Sequence, residues 1–188
     1  MLDKLILYDK ELFEFLNGLG NEHWDTFWMM VTQQFNWIPL FALFLFLVFK
    51  AYGWKKGLII MLIVAVLVTF SDQFANLIKH SFGRLRPNND PSINGMIRIL
   101  KHPKSFSFVS GHAMTSFAVT TYLFFLLRKH FKFVALIFIW PMLFAYSRIY
   151  LGVHFPMDIL GGVFMGILIA IAFYQITLFV FKKIRQPA

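Results

Sequence analysis

Long apolar runs separated by short basic intervals dominate the chain. Judged against the ~20 residues that a membrane helix needs, five segments qualify as spans: 36–51, 57–78, 111–127, 133–147 and 159–181. The last carries no charge anywhere. The first and fourth are short, and are expected to extend at their ends or to tilt less than the others. Ahead of them, residues 1–22 mix apolar and charged positions. Leu2, Leu5, Ile6, Leu12, Phe13 and Leu16 make one helical face suited to lying on a membrane surface, and Asp9 interrupts that face. A cap packed on the bundle is the alternative. The pattern predicts an all-α polytopic transmembrane bundle of about five spans plus an N-terminal interfacial helix, as one domain over 1–188. The proline-containing stretch Arg86 to Phe108 is expected to be an ordered loop.

Composition agrees. Hydrophobic residues make up 59% and charged residues 14%, against about 25% charged in a soluble domain. Cysteine is absent, which excludes disulfides and thiolate metal sites. Acidic and basic residues are mixed between Asp3 and Glu14, so no cleavable signal peptide is expected there. The net charge of +9 admits nucleic acid, anionic lipid or a phosphorylated substrate as partner. Nucleic acid fits poorly, because the cations sit between apolar runs.

Those cations also orient the chain. Lys50, Lys55 and Lys56, then Arg128, Lys129 and Lys132, then Lys182, Lys183 and Arg185 fall on one side of a five-span bundle, the cytoplasmic side by the positive-inside rule. The loops at 79–108 and 148–158 then face outward. They are basic too, so their charges need another task.

Three clusters supply one. Lys79 and Arg86 sit seven residues apart around Gly83, with Pro87 following. An ammonium and a guanidinium together suit a phosphate, whereas helix-end snorkelling is the ordinary use of such cations. Ser110-Gly111-His112 precedes the third span and offers free backbone N–H groups to an anion. Ser147-Arg148 is followed by His154, Pro156 and Asp158. His154 and Asp158 are four apart, so the carboxylate can hold one ring nitrogen and leave the other as a nucleophile. A purely structural His–Asp pair is the competing reading.

Together, Lys79-x6-Arg86-Pro87, Ser110-Gly111-His112 and Ser147-Arg148-x5-His154-x3-Asp158 resemble the three signatures of the type 2 phosphatidic acid phosphatase family. One departure is Val109, where the family usually has proline. The resemblance implies a lipid phosphatase that needs no metal or cofactor. His154 is the implied nucleophile, becoming phosphohistidine. Asp158 orients it, and His112 is the general acid. Lys79, Arg86, Arg148, Ser110 and the Gly111 N–H hold the phosphoryl oxygens. Among family substrates the reading favours undecaprenyl pyrophosphate, with phosphatidylglycerol phosphate, phosphatidic acid and lipid A phosphates open. The expected setting is a bacterial inner membrane with the site on its outer face. A membrane protein that only binds or transports anionic lipid is the alternative of another class.

Asp72, inside the second span, is expected to brace Lys79 or Arg148, and Ser147 to support the site from behind. Arg84 is assigned to substrate or to a lipid headgroup. His23, His80, His102 and His130 are read as structural. Gly162-x3-Gly166 is assigned to close packing within the bundle.

Overall fold

The computed structural model describes the backbone of residues 2–185 and the side chains of 3–184, so Leu2 on the N-terminal face and Arg185 in the last basic cluster have side chains outside the described residues. Six α-helices follow in order: α1 (Leu2–Gly18), α2 (Glu22–Val31), α3 (Ile38–Phe82), α4 (Gly111–Leu127), α5 (Ile139–Tyr150) and α6 (Pro156–Arg185). Among the described residues there is no strand.

The longest of these, α3, is two arms. Gly53 adopts φ 70° and ψ 178° inside it, a left-handed conformation that glycine takes without a Cβ penalty. The chain folds back there. A Cβ on Gly57 would come within 2.5 Å of the Phe49 ring, and Phe44 and Val48 of one arm share a core with Ile60 and Leu67 of the other. The second arm ends at Gly83, again left-handed at φ 62°, whose N–H donates to the Lys79 carbonyl.

Helix α4 is the centre of the bundle and packs against α3, α5 and α6. Its closest approach is to α6. A Cβ on Gly162 would lie 2.6 Å from the Ser110 carbonyl oxygen, and one on Gly166 would collide with the Met114 carbonyl oxygen. The Gly162-x3-Gly166 pair therefore packs inside the bundle. The outer face of α6 exposes Leu160, Phe164, Leu168 and Ile171, and the second arm of α3 exposes Leu58, Leu62, Val66 and Phe70. Apolar stripes of this length are lipid-facing surfaces. The runs Gln34–Asn89 and Pro156–Ile184 are long and apolar enough to cross a membrane, and Gly111–Leu127 and Val134–Tyr150 are shorter apolar helices.

Basic loops gather at one end. Lys56 Nζ lies 5.4 Å from the Phe181 ring centroid, Tyr52 packs on both His130 and Phe181, and the Tyr52 hydroxyl donates to the Leu126 carbonyl. The gaps after the first arm of α3, after α4 and after α6 thus meet at the same end.

The N-terminal segment presents two faces, and a second helix follows it. Leu5, Ile6 and Leu12 are exposed, while Asp9, Phe13 and Asn17 are buried. The buried face runs at i, i+4, i+8 through the carboxylate that seemed to interrupt it. Asn17 fixes the helix, donating to the carbonyls of Arg98, Ile149 and Tyr150 and accepting the Arg98 N–H. Helix α2 was not anticipated. It holds Trp28, stacked on Tyr150 with centroids 5.3 Å apart, and Asp25, whose two oxygens both accept from Arg98 Nη2 and one of which also accepts the Tyr150 hydroxyl.

Candidate active site

At the end opposite the basic loops, the last turns of α3 and α5 meet the first turns of α4 and α6. A cavity of about 980 Å³ opens between them, lined at its head by Lys79, Arg86, Gly111, His112, Arg148 and His154. Six of the residues singled out in the sequence thus share one wall, although they span 75 positions from Lys79 to His154. Below this head the cavity is apolar, between Phe41, Phe44, Val48, Val64, Val119 and Leu123.

His154 lies in the tight turn between α5 and α6 and is 1% exposed. Its Nδ1 is 3.4 Å from Asp158 Oδ2, and its Nε2 is 3.0 Å from an Arg86 guanidinium nitrogen. The tautomer that satisfies both neighbours carries its proton on Nδ1, donated to Asp158, and accepts at Nε2. Burial, reinforced by the cations of Arg86, Arg148 and Lys79, pushes the imidazole below its ordinary pKa. Asp158 is itself fixed, accepting the Phe155 N–H at 2.9 Å.

The two guanidinium groups are held by protein oxygens. Arg86 donates to the Ser105 carbonyl at 2.7 Å, the Ser105 hydroxyl at 3.0 Å and the Val153 carbonyl at 2.9 Å. Arg148 donates to the Thr32 hydroxyl at 2.5 Å, while its buried Nε has no protein partner among the described residues. Ser110 caps α4, its hydroxyl accepting the Ala113 N–H at 3.4 Å and its N–H donating to the Asp158 carbonyl at 3.0 Å. That link ties the start of α4 to the start of α6. A Cβ on Gly111 would stand 3.4 Å from Lys79 Nζ. Glycine thus leaves the α4 N-terminus open beside the ammonium. His112 stacks on Phe144 at 5.0 Å between centroids, which sets its ring plane.

Three expectations need correction. Asp72 is exposed on the cavity wall, its bond goes to Asn76 at 3.4 Å, and among the described residues it forms no ion pair. It hydrogen-bonds neither Lys79 nor Arg148, and its charge acts on the Lys79 ammonium through space alone. Ser147 turns its hydroxyl back to the Phe144 carbonyl at 2.7 Å and serves its own helix. Arg84 does not line the cavity and is committed to protein carboxylates. One of its nitrogens donates to Asp158 Oδ1 at 2.8 Å and another to Asp9 Oδ2 at 2.6 Å. Thr32, Ser105 and Asp9 carried no sequence signal, since each acts on a residue distant along the chain. Arg84 lay inside the first cluster and was open to reading as part of it.

Comparison with known proteins gives the family. The model of the PAP2 superfamily matches residues 56–182, which hold all three clusters. The chain is 32% identical over 170 residues to a lipid A 4'-phosphatase of Bacteroides thetaiotaomicron, covering 88% of this chain and 75% of that protein. It is 31% identical over 189 residues to an undecaprenyl-diphosphatase of Sulfolobus acidocaldarius, covering 98% and 82%. In fold it is similar to the crystal structure of a transmembrane PAP2 type phosphatidylglycerolphosphate phosphatase from Bacillus subtilis, with a TM-score of 0.69 at 22% identity, covering 96% of this chain and 88% of that one. With a family match over most of its length and the three clusters assembled around one cavity, the chain belongs to the PAP2 superfamily, as an integral membrane lipid phosphatase.

Proposed function

We propose that the lipid phosphate is cleaved through a covalent phosphohistidine on His154, without a metal ion. The observation that carries this is the alignment in the cavity wall, where Asp158 holds one ring nitrogen and the other faces the cation cluster. In the first step the Nε2 lone pair attacks phosphorus and the bond to the lipid oxygen breaks. Asp158 stabilises the positive ring that forms. His112 gives its proton to the departing oxygen, then takes one from the water that cleaves the N–P bond. Arg86 shifts its contact from Nε2 to a phosphoryl oxygen. Lys79, Arg148, the Ser110–Gly111 turn and the α4 N-terminus hold the others. Three fixed cations supply the charge stabilisation that phosphoryl transfer requires.

The substrate is a phosphorylated, acylated sugar of the lipid A type. The supporting relative is the Bacteroides phosphatase at 32% identity. The cavity agrees, because Gln34, Thr69, Asp72 and Gln73 add a polar strip beside the apolar wall. An exposed carboxylate there favours a headgroup that donates hydroxyls, and disfavours the extra negative charge of a diphosphate. Undecaprenyl diphosphate is the second reading, supported by the Sulfolobus relative that spans 98% of this chain. The site faces outward from the cytoplasm, in a bacterial inner membrane, because the basic loops share the opposite end.

Phosphate release by detergent-purified protein in excess EDTA, wild type beside His154→Ala, tests the mechanism. Release that survives EDTA and disappears in the variant is expected. Equal release by both proteins, or release abolished by EDTA, overturns it. Presenting lipid A and undecaprenyl diphosphate at equal concentration ranks the two substrates.

A further inference from the structure

Behind the His154 ring, away from the cavity, runs a chain of charges. Asp158 Oδ1 accepts from Arg84 at 2.8 Å, and the other arm of that guanidinium donates to Asp9 Oδ2 at 2.6 Å. The second Asp9 oxygen accepts the Met157 N–H at 2.8 Å, in the first turn of α6. Asp9 therefore grips both Arg84 and the helix start that carries Asp158. Arg84 is seated face-on over Phe155, 4.1 Å from its centroid, and Phe155 is braced edge-on by Phe13 at 5.3 Å. Asp9 and Phe13 are one turn apart on α1, so a single helix face supplies both contacts. Neither Asp9 nor Arg84 lines the cavity.

A planar guanidinium bridging two carboxylates fixes both more firmly than two separate pairs. Asp158 needs this. It is 0% exposed, and its contact to His154 is long at 3.4 Å, so small rotations of the carboxylate would turn the ring. Without Asp9, Arg84 would follow Asp158 rather than anchor it. We infer that Asp9 and Arg84 are positioning residues of the active site, the N-terminal helix holding Asp158 and thereby the His154 ring in attacking orientation. The inference rests on His154 as nucleophile. It also gives α1 a task besides its exposed apolar face.

The test uses the full chain in detergent micelles, with short-chain phosphatidic acid as substrate. Asp9→Asn keeps an oxygen for the Met157 N–H but sets an amide N–H₂ against Arg84. Arg84→Lys keeps the charge but cannot bridge two carboxylates, and remains readable if Asp9→Asn fails to fold. Both are expected to lower kcat tenfold to about a hundredfold, the scale for displacing a reacting group by ~1 Å. KM and competitive inhibition by inorganic phosphate should stay at wild-type values, since the phosphate cradle is untouched. Because Asp9 acts through Arg84, Asp9→Asn combined with Arg84→Gln should be no slower than Arg84→Gln alone. Wild-type kcat in Asp9→Asn or Arg84→Lys overturns the inference, as do additive losses in the pair or a parallel rise in KM. Full activity in His154→Ala would instead sink the nucleophile assignment on which it rests.

Discussion

His154 sits where a neutral imidazole is most useful and a charged one is most costly. Lys79 from α3, Arg86 from the loop that follows, His112 from α4 and Arg148 from α5 surround it at the cavity head, with Asp158 from α6 as its carboxylate. Burial leads and the cations add to it, so the ring holds its proton less readily than an ordinary histidine. The sign follows directly. A group whose folded-state pKa is depressed contributes stability above its unfolded value, ~6.5 for histidine, and loses that contribution as pH falls below it. The denaturation temperature in detergent is therefore expected to decline below about pH 6.5, and less steeply in His154→Gln. In the same way the acid limb of kcat/KM should lie below the ordinary histidine value. An acid limb above that value, or an unchanged stability slope in the variant, would show that His154 is not held neutral. At this scale the sequence was informative wherever chemistry is packed into short spacings, as with His154 and Asp158. It misled at Asp9. A carboxylate on an apolar face reads as a flaw when its partner is 75 residues away in Arg84.

The helices could be placed from the apolar runs, but their joints could not all be read. Gly111–Leu127 falls where a serine cap precedes an uninterrupted apolar run. The reversal at Gly53 sits in a basic interval that already separated two runs. Helix α2 was missed because its ten residues mix acidic and aromatic side chains, and its packing partners Tyr146 and Tyr150 belong to α5. The glycine pair of α6 shows what a joint contributes. Gly162 and Gly166 let the α6 backbone approach the Ser110 and Met114 carbonyls, so the start of the helix that begins with Ser110-Gly111-His112 meets α6 by close backbone approach. A valine at either position is expected to cost about 1–3 kcal/mol by overpacking. It should also lower kcat, since separating α4 from α6 parts the Ser110–Gly111 turn, proposed to bind the phosphate, from His154. Thermal unfolding and turnover of Gly162→Val and Gly166→Val check this. Gly95→Ala is the control, because a Cβ there meets nothing within 4 Å. Wild-type unfolding temperature and turnover in both valine variants would remove the joint from the account.

The whole molecule is polarised. The cations that line its cavity collect at one end and its loop cations at the other, although both groups are drawn from the same residue types. They differ in what holds them. Arg86 and Arg148 are buried and donate to protein oxygens, whereas Lys55, Arg128, Lys129 and Lys182 are exposed. By the positive-inside rule the proposed orientation sets the exposed loop cations in the cytoplasm, while Lys104, in the loop beside the cavity, is exposed as well. A chain without cysteine is well suited to testing this orientation. Met96, 71% exposed, lies in the loop beside the active site. Lys55 and Lys129 lie in loops at the far end. Single cysteines at these positions, probed with a membrane-impermeant maleimide on cells whose inner membrane is intact and accessible, should divide cleanly. Met96→Cys is expected to label at once, and Lys55→Cys and Lys129→Cys only after permeabilisation. The reverse pattern would place the phosphatase site in the cytoplasm, and would mean that the buried cations, not the exposed ones, had set the topology. Labelling of Lys55→Cys and Lys129→Cys from opposite sides would show that the turn at Gly53 and the loop after α4 do not share one side of the membrane, and would overturn the five spans expected from the sequence.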